Sequence, residues 1–99
     1  MNNINSLILE GKLSNEVKVF ETQNGLKVAR AKVASSRFYK NEEGNQKEEI
    51  TTVEFECYGR TADFVERKAE NNISVRVVGR LKQEGEKVFI IAEHIEFRA

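Results

Sequence analysis

The sequence predicts an all-β domain with one short helix, its sheet closed into a small barrel. Three observations carry this. Most of the chain alternates apolar and polar residues with a period of two. A single segment, residues 60 to 70, has helical spacing instead. The chain is 99 residues long, 39% hydrophobic and 32% charged, which is one core's worth of material. A β-rich chain of this size must hide its sheet edges, and closure into a barrel does so without further residues.

Taken in order, Leu7, Leu9, Gly11 and Leu13 alternate with Ile8, Glu10 and Lys12, and Val17 and Val19 continue as a second short run. Asn24-Gly25 is a tight-turn signal. Residues 26–39 make a long run, with Ala29, Ala31, Val33 and Ser35 on one parity. The polar stretch Asn41 to Glu48 reads as an exposed loop. Thr51, Val53, Phe55 and Cys57 then alternate with Glu54, Glu56 and Tyr58. Arg60 to Glu70 reads as the helix, with Thr61 as N-cap and Asp63 in the first turn. Its apolar face is Ala62, Val65 and Ala69, with Phe64 beside them, and Asn71-Asn72 suits its end. Val75, Val77, Gly79 and Leu81 alternate with Ser74, Arg76, Arg80 and Lys82. Glu84-Gly85-Glu86 is a short hairpin connection, and residues 87–97 carry apolar side chains on both parities, so both faces of that strand should be covered. Three long strands, a helix and two long strands is the order of an OB-fold. The expected architecture is therefore a five-stranded OB-fold barrel with the helix between strands 3 and 4, residues 1–99 forming one domain.

Several functions are excluded or disfavoured. No apolar run approaches the roughly 18 residues of a membrane span, and Met1 to Asn5 has no basic, apolar leader pattern. The single cysteine points to a reducing, cytoplasmic compartment. His94 and Cys57 lie in separate strands and read as structural residues, and Glu42-Glu43 sits where nothing would hold catalytic geometry. There is no metal-ligand spacing and no phosphate-cradling glycine loop. We expect no enzyme and no cofactor.

Net charge is zero, but the charges are segregated. Residues 22–41 hold Lys27, Arg30, Lys32, Arg37 and Lys40 and no acid. Residues 42–56 hold six glutamates and one lysine, and residues 73–82 hold Arg76, Arg80 and Lys82 and no acid. Segregation leaves room for a basic surface. If the 26–39 strand runs without a bulge, Arg30, Lys32, Ser36 and Phe38 share its outer face. Tyr58 repeats the feature on the next strand, with Arg60 two residues on. Rings interleaved with cations suit a single-stranded nucleic acid, whose bases stack for about 1–3 kcal/mol each while cations track the phosphates. Glu54 and Glu56 share the parity of Tyr58 and oppose this. Packing of Phe38 under the 41–48 loop and of Tyr58 in a subunit interface are the competing placements.

With these residues in view, the chain resembles the bacterial single-stranded DNA-binding protein family. Asn5-Ser6-Leu7-Ile8-Leu9-Glu10-Gly11-Lys12-Leu13 is similar to the family's opening strand, and Asn24 to Ala34 to its second. Ser36-Arg37-Phe38-Tyr39 falls where the family places a stacking aromatic. Phe55 to Val65 resembles the end of its third strand and the helix start, and Val75 to Leu81 its fourth strand. The resemblance implies an OB-fold homotetramer that coats single-stranded DNA without sequence preference in replication, repair and recombination, in the bacterial cytoplasm at the nucleoid. It makes Phe38 and Tyr58 stacking platforms and Arg60 a phosphate contact. Arg30, Lys32, Arg37, Lys40, Arg76, Arg80 and Lys82 complete the expected DNA-binding set.

The chain also departs from the family. A common strand-three tryptophan is Thr52 here, and the usually long hairpin between strands four and five shrinks to Gln83-Glu84-Gly85-Glu86. The sequence stops at Ala99 without the family's disordered linker and acidic tip, which fits a trimmed chain or a tail-less relative. These departures imply weaker DNA binding or a smaller footprint. They also suit a second reading, a protein-interaction OB module like the primosomal replication protein of the n type. Replication and repair proteins are then the expected partners, beside DNA and a second copy of the chain. The apolar opening strand and the 87–97 run imply a tetramer or a dimer.

Overall fold

The computed structural model describes residues 1–14 and 16–98. It contains β1 (Leu7–Leu13), β2 (Lys18–Glu21), β3 (Lys27–Lys40), β4 (Gln46–Tyr58), α1 (Arg60–Lys68), β5 (Ser74–Glu84) and β6 (Lys87–Arg98). The sheet order is β1-β5-β6-β4-β3-β2, and β1 also pairs with β3. That extra pairing, Lys12 with Ala34 and Leu13 with Val33, closes the five long strands into a barrel. The short β2 flanks β3 outside the closure. Counting only the long strands, the helix lies between the third and fourth, and the OB-fold read from the sequence is the fold observed.

The core follows the alternation. Ala29, Ala31 and Val33 of β3 point inward beside Phe55 and Cys57 of β4, Val75 and Val77 of β5, and Ile90, Ala92 and Ile95 of β6. Ala62 and Val65 of α1, both fully buried, close one end, and Phe64 stacks on Phe97 at a centroid distance of 5.5 Å. Closure demands close backbone approach at two points. A Cβ on Gly11 would lie 2.2 Å from the carbonyl oxygen of Ala34, and one on Gly79 2.0 Å from that of Ile91. β6 is apolar on both parities because Ile90 and Ala92 face inward while Phe89 and Ile91 are buried on the outer side. A bulge then follows: Val78 pairs with His94 but Gly79 with Ala92, so β6 changes phase. The chain itself thus buries Phe89, Ile90, Ile91, Ala92 and Ile95 of the 87–97 run, which leaves Val88 as its exposed apolar residue.

Three local expectations are corrected. The N-cap is Gly59 at φ 60°, not Thr61, which lies inside the helix. The helix stops at Lys68 with Ala69 extended, so Asn71-Asn72 does not end it. Asn72 is indeed left-handed (φ 65°), but in the turn before β5, where its N–H donates to Leu13. The 41–48 loop is only Asn41–Asn45, because pairing from Lys40 with Gln46 onward draws Lys47 and Glu48 into β4. The chain end at Ala99 lies outside the described residues. Among the described residues, no helix is long and apolar enough to cross a membrane.

Cys57 is fully buried, and its thiol donates to the Ala29 carbonyl at 3.7 Å. Burial pushes its pKa from 9.0 up to about 12. The thiolate therefore forms more easily in the unfolded chain than in the folded one. Below pH 9.0 both states keep the proton and the full contribution to stability is present; as pH rises from there towards about 12 it is lost. Tyr58, raised from 10.0 to about 12, acts with the same sign. The urea midpoint is expected to fall between about pH 8 and about pH 10.5, with thiol alkylation occurring only as fast as the protein opens.

Candidate nucleic-acid interface

β3 and β4 pair without a bulge from Val28–Tyr58 to Lys40–Gln46. Arg30, Lys32, Ser36 and Phe38 consequently share the outer face, as the alternation implies. Beyond Ala34 the pair leaves the barrel as a two-stranded ribbon, with Ser36–Lys40 and Gln46–Ile50 exposed. Phe38 is 62% exposed and Ile50 59%, diagonal neighbours on one ribbon face. Phe38 does not pack under a loop. Arg37 and Tyr39 occupy the opposite face, the guanidinium 5.3 Å from the ring centroid, and Lys40 ends the strand.

Tyr58 sits elsewhere. It pairs with Val28, ten residues from Phe38 along β3, or roughly 33 Å at a strand's rise. Phe20, Val28 and Tyr58 form one cross-strand row on the barrel wall. The Tyr58 ring is half-buried and its hydroxyl donates to Glu56 at 2.9 Å. Burial first, and then the Glu56 carboxylate, raise its pKa. Glu56 also accepts from Arg30 Nε at 2.8 Å, and Arg30 lies over Phe20 at 5.3 Å. The two rings expected to form one platform therefore stand at opposite ends of a long strand.

The charge segregation seen along the chain is undone by register. The hairpin sets Arg30 against Glu56, Lys32 against Glu54 and Arg37 against Glu49. Arg76 pairs with Glu10 at 2.8 Å and also faces Glu96, away from either ring. Lys82 has Glu84 at 3.9 Å, whereas Arg80 is exposed, on the β5 stretch that reaches towards Tyr58. Arg60 is exposed at the first position of α1.

A basic groove emerges that the sequence reading did not single out. It holds about 950 Å³ beside β3, with Lys18, Arg30, Lys32 and Lys87 along it, Lys12 at one end, and Glu16 and Glu54 as the acids. Lys12, Lys18 and Lys32 form no ion pair among the described residues, while Lys87 pairs with Glu54 and lies 5.7 Å from the Phe89 centroid. Lys18 arrives with β2, which faces Arg30 through the local β2–β3 hairpin, whereas Lys12 of β1 and Lys87 of β6 join them only through barrel closure. The groove offers cations at strand spacing along a concave wall, an arrangement suited to a polyanion.

The family model for the Single-strand binding protein family matches residues 4–96. Among relatives, the chain is similar to a single-stranded DNA-binding protein of Wolinella succinogenes, 29% identical over 77 residues, covering 78% of this chain and 48% of that protein. It spans about half the length of the curated relatives it matches. A deletion mutant of the single-stranded DNA binding protein from Thermus aquaticus superposes with a TM-score of 0.83 at 25% identity, over 97% of this chain and 51% of that one. A Plasmodium falciparum SSB solved with ssDNA shares the fold at a TM-score of 0.87 and 18% identity, over 100% of this chain and 98% of that one. With the family model spanning all five barrel strands and the helix, this chain belongs to the single-strand binding protein family.

Proposed function

We propose that residues 1–99 act as one OB-fold domain that binds single-stranded DNA without sequence preference. Membership of a family of binding proteins makes it a non-enzymatic protein. The observation that carries the reading is the single outer face of β3, on which exposed Phe38 is in line with the groove cations Arg30 and Lys32. In this reading bases stack on Phe38, phosphates follow Lys32 and Arg30, and Tyr58 offers its half-exposed ring where Arg80 and Arg60 are near. Arg37 and Lys40 add charge on the ribbon, with Lys82 and Arg76 at the margins. Replication, repair and recombination in the bacterial cytoplasm are the proposed settings, with other proteins of those pathways as partners. Assembly of two or four copies belongs to the same reading: among the described residues Leu7–Gly11 of β1 pairs only with β5, and Ile8 on it is 67% exposed.

A titration with labelled oligo-dT at two salt concentrations tests this. The wild type is expected to saturate in the nanomolar to low micromolar range and to weaken with salt. Phe38→Ala, which removes an exposed ring, should leave the fold intact and weaken binding by about 1 kcal/mol or more. Barely detectable binding by the wild type would favour the protein-interaction module instead.

A further inference from the structure

We propose that the bound strand does not end in the groove beside β3 but continues around the barrel into a second subsite, floored by Phe64 and Phe97 and rimmed by Lys12, Lys68 and Arg98. This inference rests on the single-strand reading above and extends it. The second pocket holds about 580 Å³ between the end of α1 and the start of β5. Lys12 and Asn72 line both this pocket and the groove, so the two adjoin.

The register shows how. Ala34 pairs with Lys12, Lys12 with Ser74, and Ser74 with Arg98, one cross-strand row around the outside of the barrel. Neighbouring strands are about 4.8 Å apart, so Lys12 and Arg98 stand roughly 10 Å apart along that row. Lys32 lies two residues from Ala34 on the same face of β3. A backbone following the groove past Lys32 thus meets Lys12 and then Arg98 without leaving cationic surface. The row on one side cannot serve, because Arg76 there is held between Glu10 and Glu96.

The pocket has what one nucleotide needs. Its floor is two stacked, half-buried rings, on which a base can lie. Its cations outnumber its acids three to one, the acid being Glu70. Lys68 has no ion pair among the described residues, Lys12 only donates to Ser74 at 2.9 Å, and Arg98 has Glu10 at 3.8 Å. Cations so loosely held are available to phosphate.

The test is a length comparison. Oligo-dT of about 5 and of about 16 nucleotides span the range one OB barrel covers. The double variant Lys68→Ala/Arg98→Ala changes two exposed side chains. It is expected to bind the short oligomer as the wild type does and the long one about 5- to 20-fold more weakly, its salt slope reduced by about 1.4 for two lost phosphate contacts. Phe97→Leu keeps the apolar volume but loses the ring, and should likewise weaken only the long complex. Equal losses on both lengths would overturn the subsite, as would no loss on the long one, or a change of oligomeric mass in the double variant without a DNA effect. If the wild type binds neither oligomer, the single-strand reading itself fails.

Discussion

Gly79→Ala is expected to destabilise the protein by about 3 kcal/mol or more, a large share of the net stability of a domain this size. The added Cβ would lie 2.0 Å from the Ile91 carbonyl oxygen and 2.9 Å from its carbon. Both are backbone atoms of the neighbouring strand, so no rotamer change relieves the overlap. The strands would have to part at the bulge where β6 changes phase between Ala92 and His94. That bulge is what sends Ile90 and Ala92 into the core on one side and Ile95 on the other. Gly25→Ala is the control. Gly25 has φ 82° but nothing within 4 Å of an added Cβ, so only the left-handed strain of about 1–2 kcal/mol is expected. Urea denaturation of the two variants checks the contrast, and a Gly79 variant as stable as the Gly25 variant would contradict the closure described.

Lys32→Glu is expected to weaken oligo-dT binding about tenfold or more and to lower the salt slope by about 0.7. Lys32 stands in the middle of the basic groove and has no ion pair among the described residues. Reversal removes one phosphate contact and places an anion beside the next, so the loss exceeds that of a neutral substitution. Because phosphates carry no sequence information, dT and mixed-sequence oligomers should weaken alike. Arg30 is a poorer choice for this experiment. Its guanidinium is tied to Glu56 at 2.5 Å and covers Phe20, so its loss would leave a buried carboxylate and an uncovered ring. Stability enters as a second readout, since the new glutamate faces Glu54 across the strands; like charges so placed are expected to cost up to about 1 kcal/mol.

Much of the fold was legible in local pattern. The inward parity of Ala29, Ala31 and Val33, the helical face of Ala62 and Val65, and the Asn24-Gly25 turn each follow from side-chain period and backbone freedom within a few residues. The exposed Phe38 on the face of Arg30 and Lys32 was equally legible, because an unbulged strand keeps its parity. The N-cap was misread because Thr61 suits that position by type, while Gly59 supplies a positive φ that no hydroxyl provides. The loop after Lys40 was misread because its charges suggested solvent, and both faces of a free-standing ribbon are solvent-exposed anyway.

Period and composition alone thus decided the five long strands, the one helix and the outward parity of Phe38, since each of those features is set by neighbours in the chain. Partners far apart in sequence decided the rest. Register set the basic stretch of β3 against the acidic stretch of β4, so that charges segregated along the chain became pairs across it. Closure drew Lys12 of β1 and Lys87 of β6 to the groove beside β3, and the β3–β4 register kept Tyr58 and Phe38 apart. Cross-strand distances depend on which residue faces which, and that is a property of the closed sheet rather than of any segment within it.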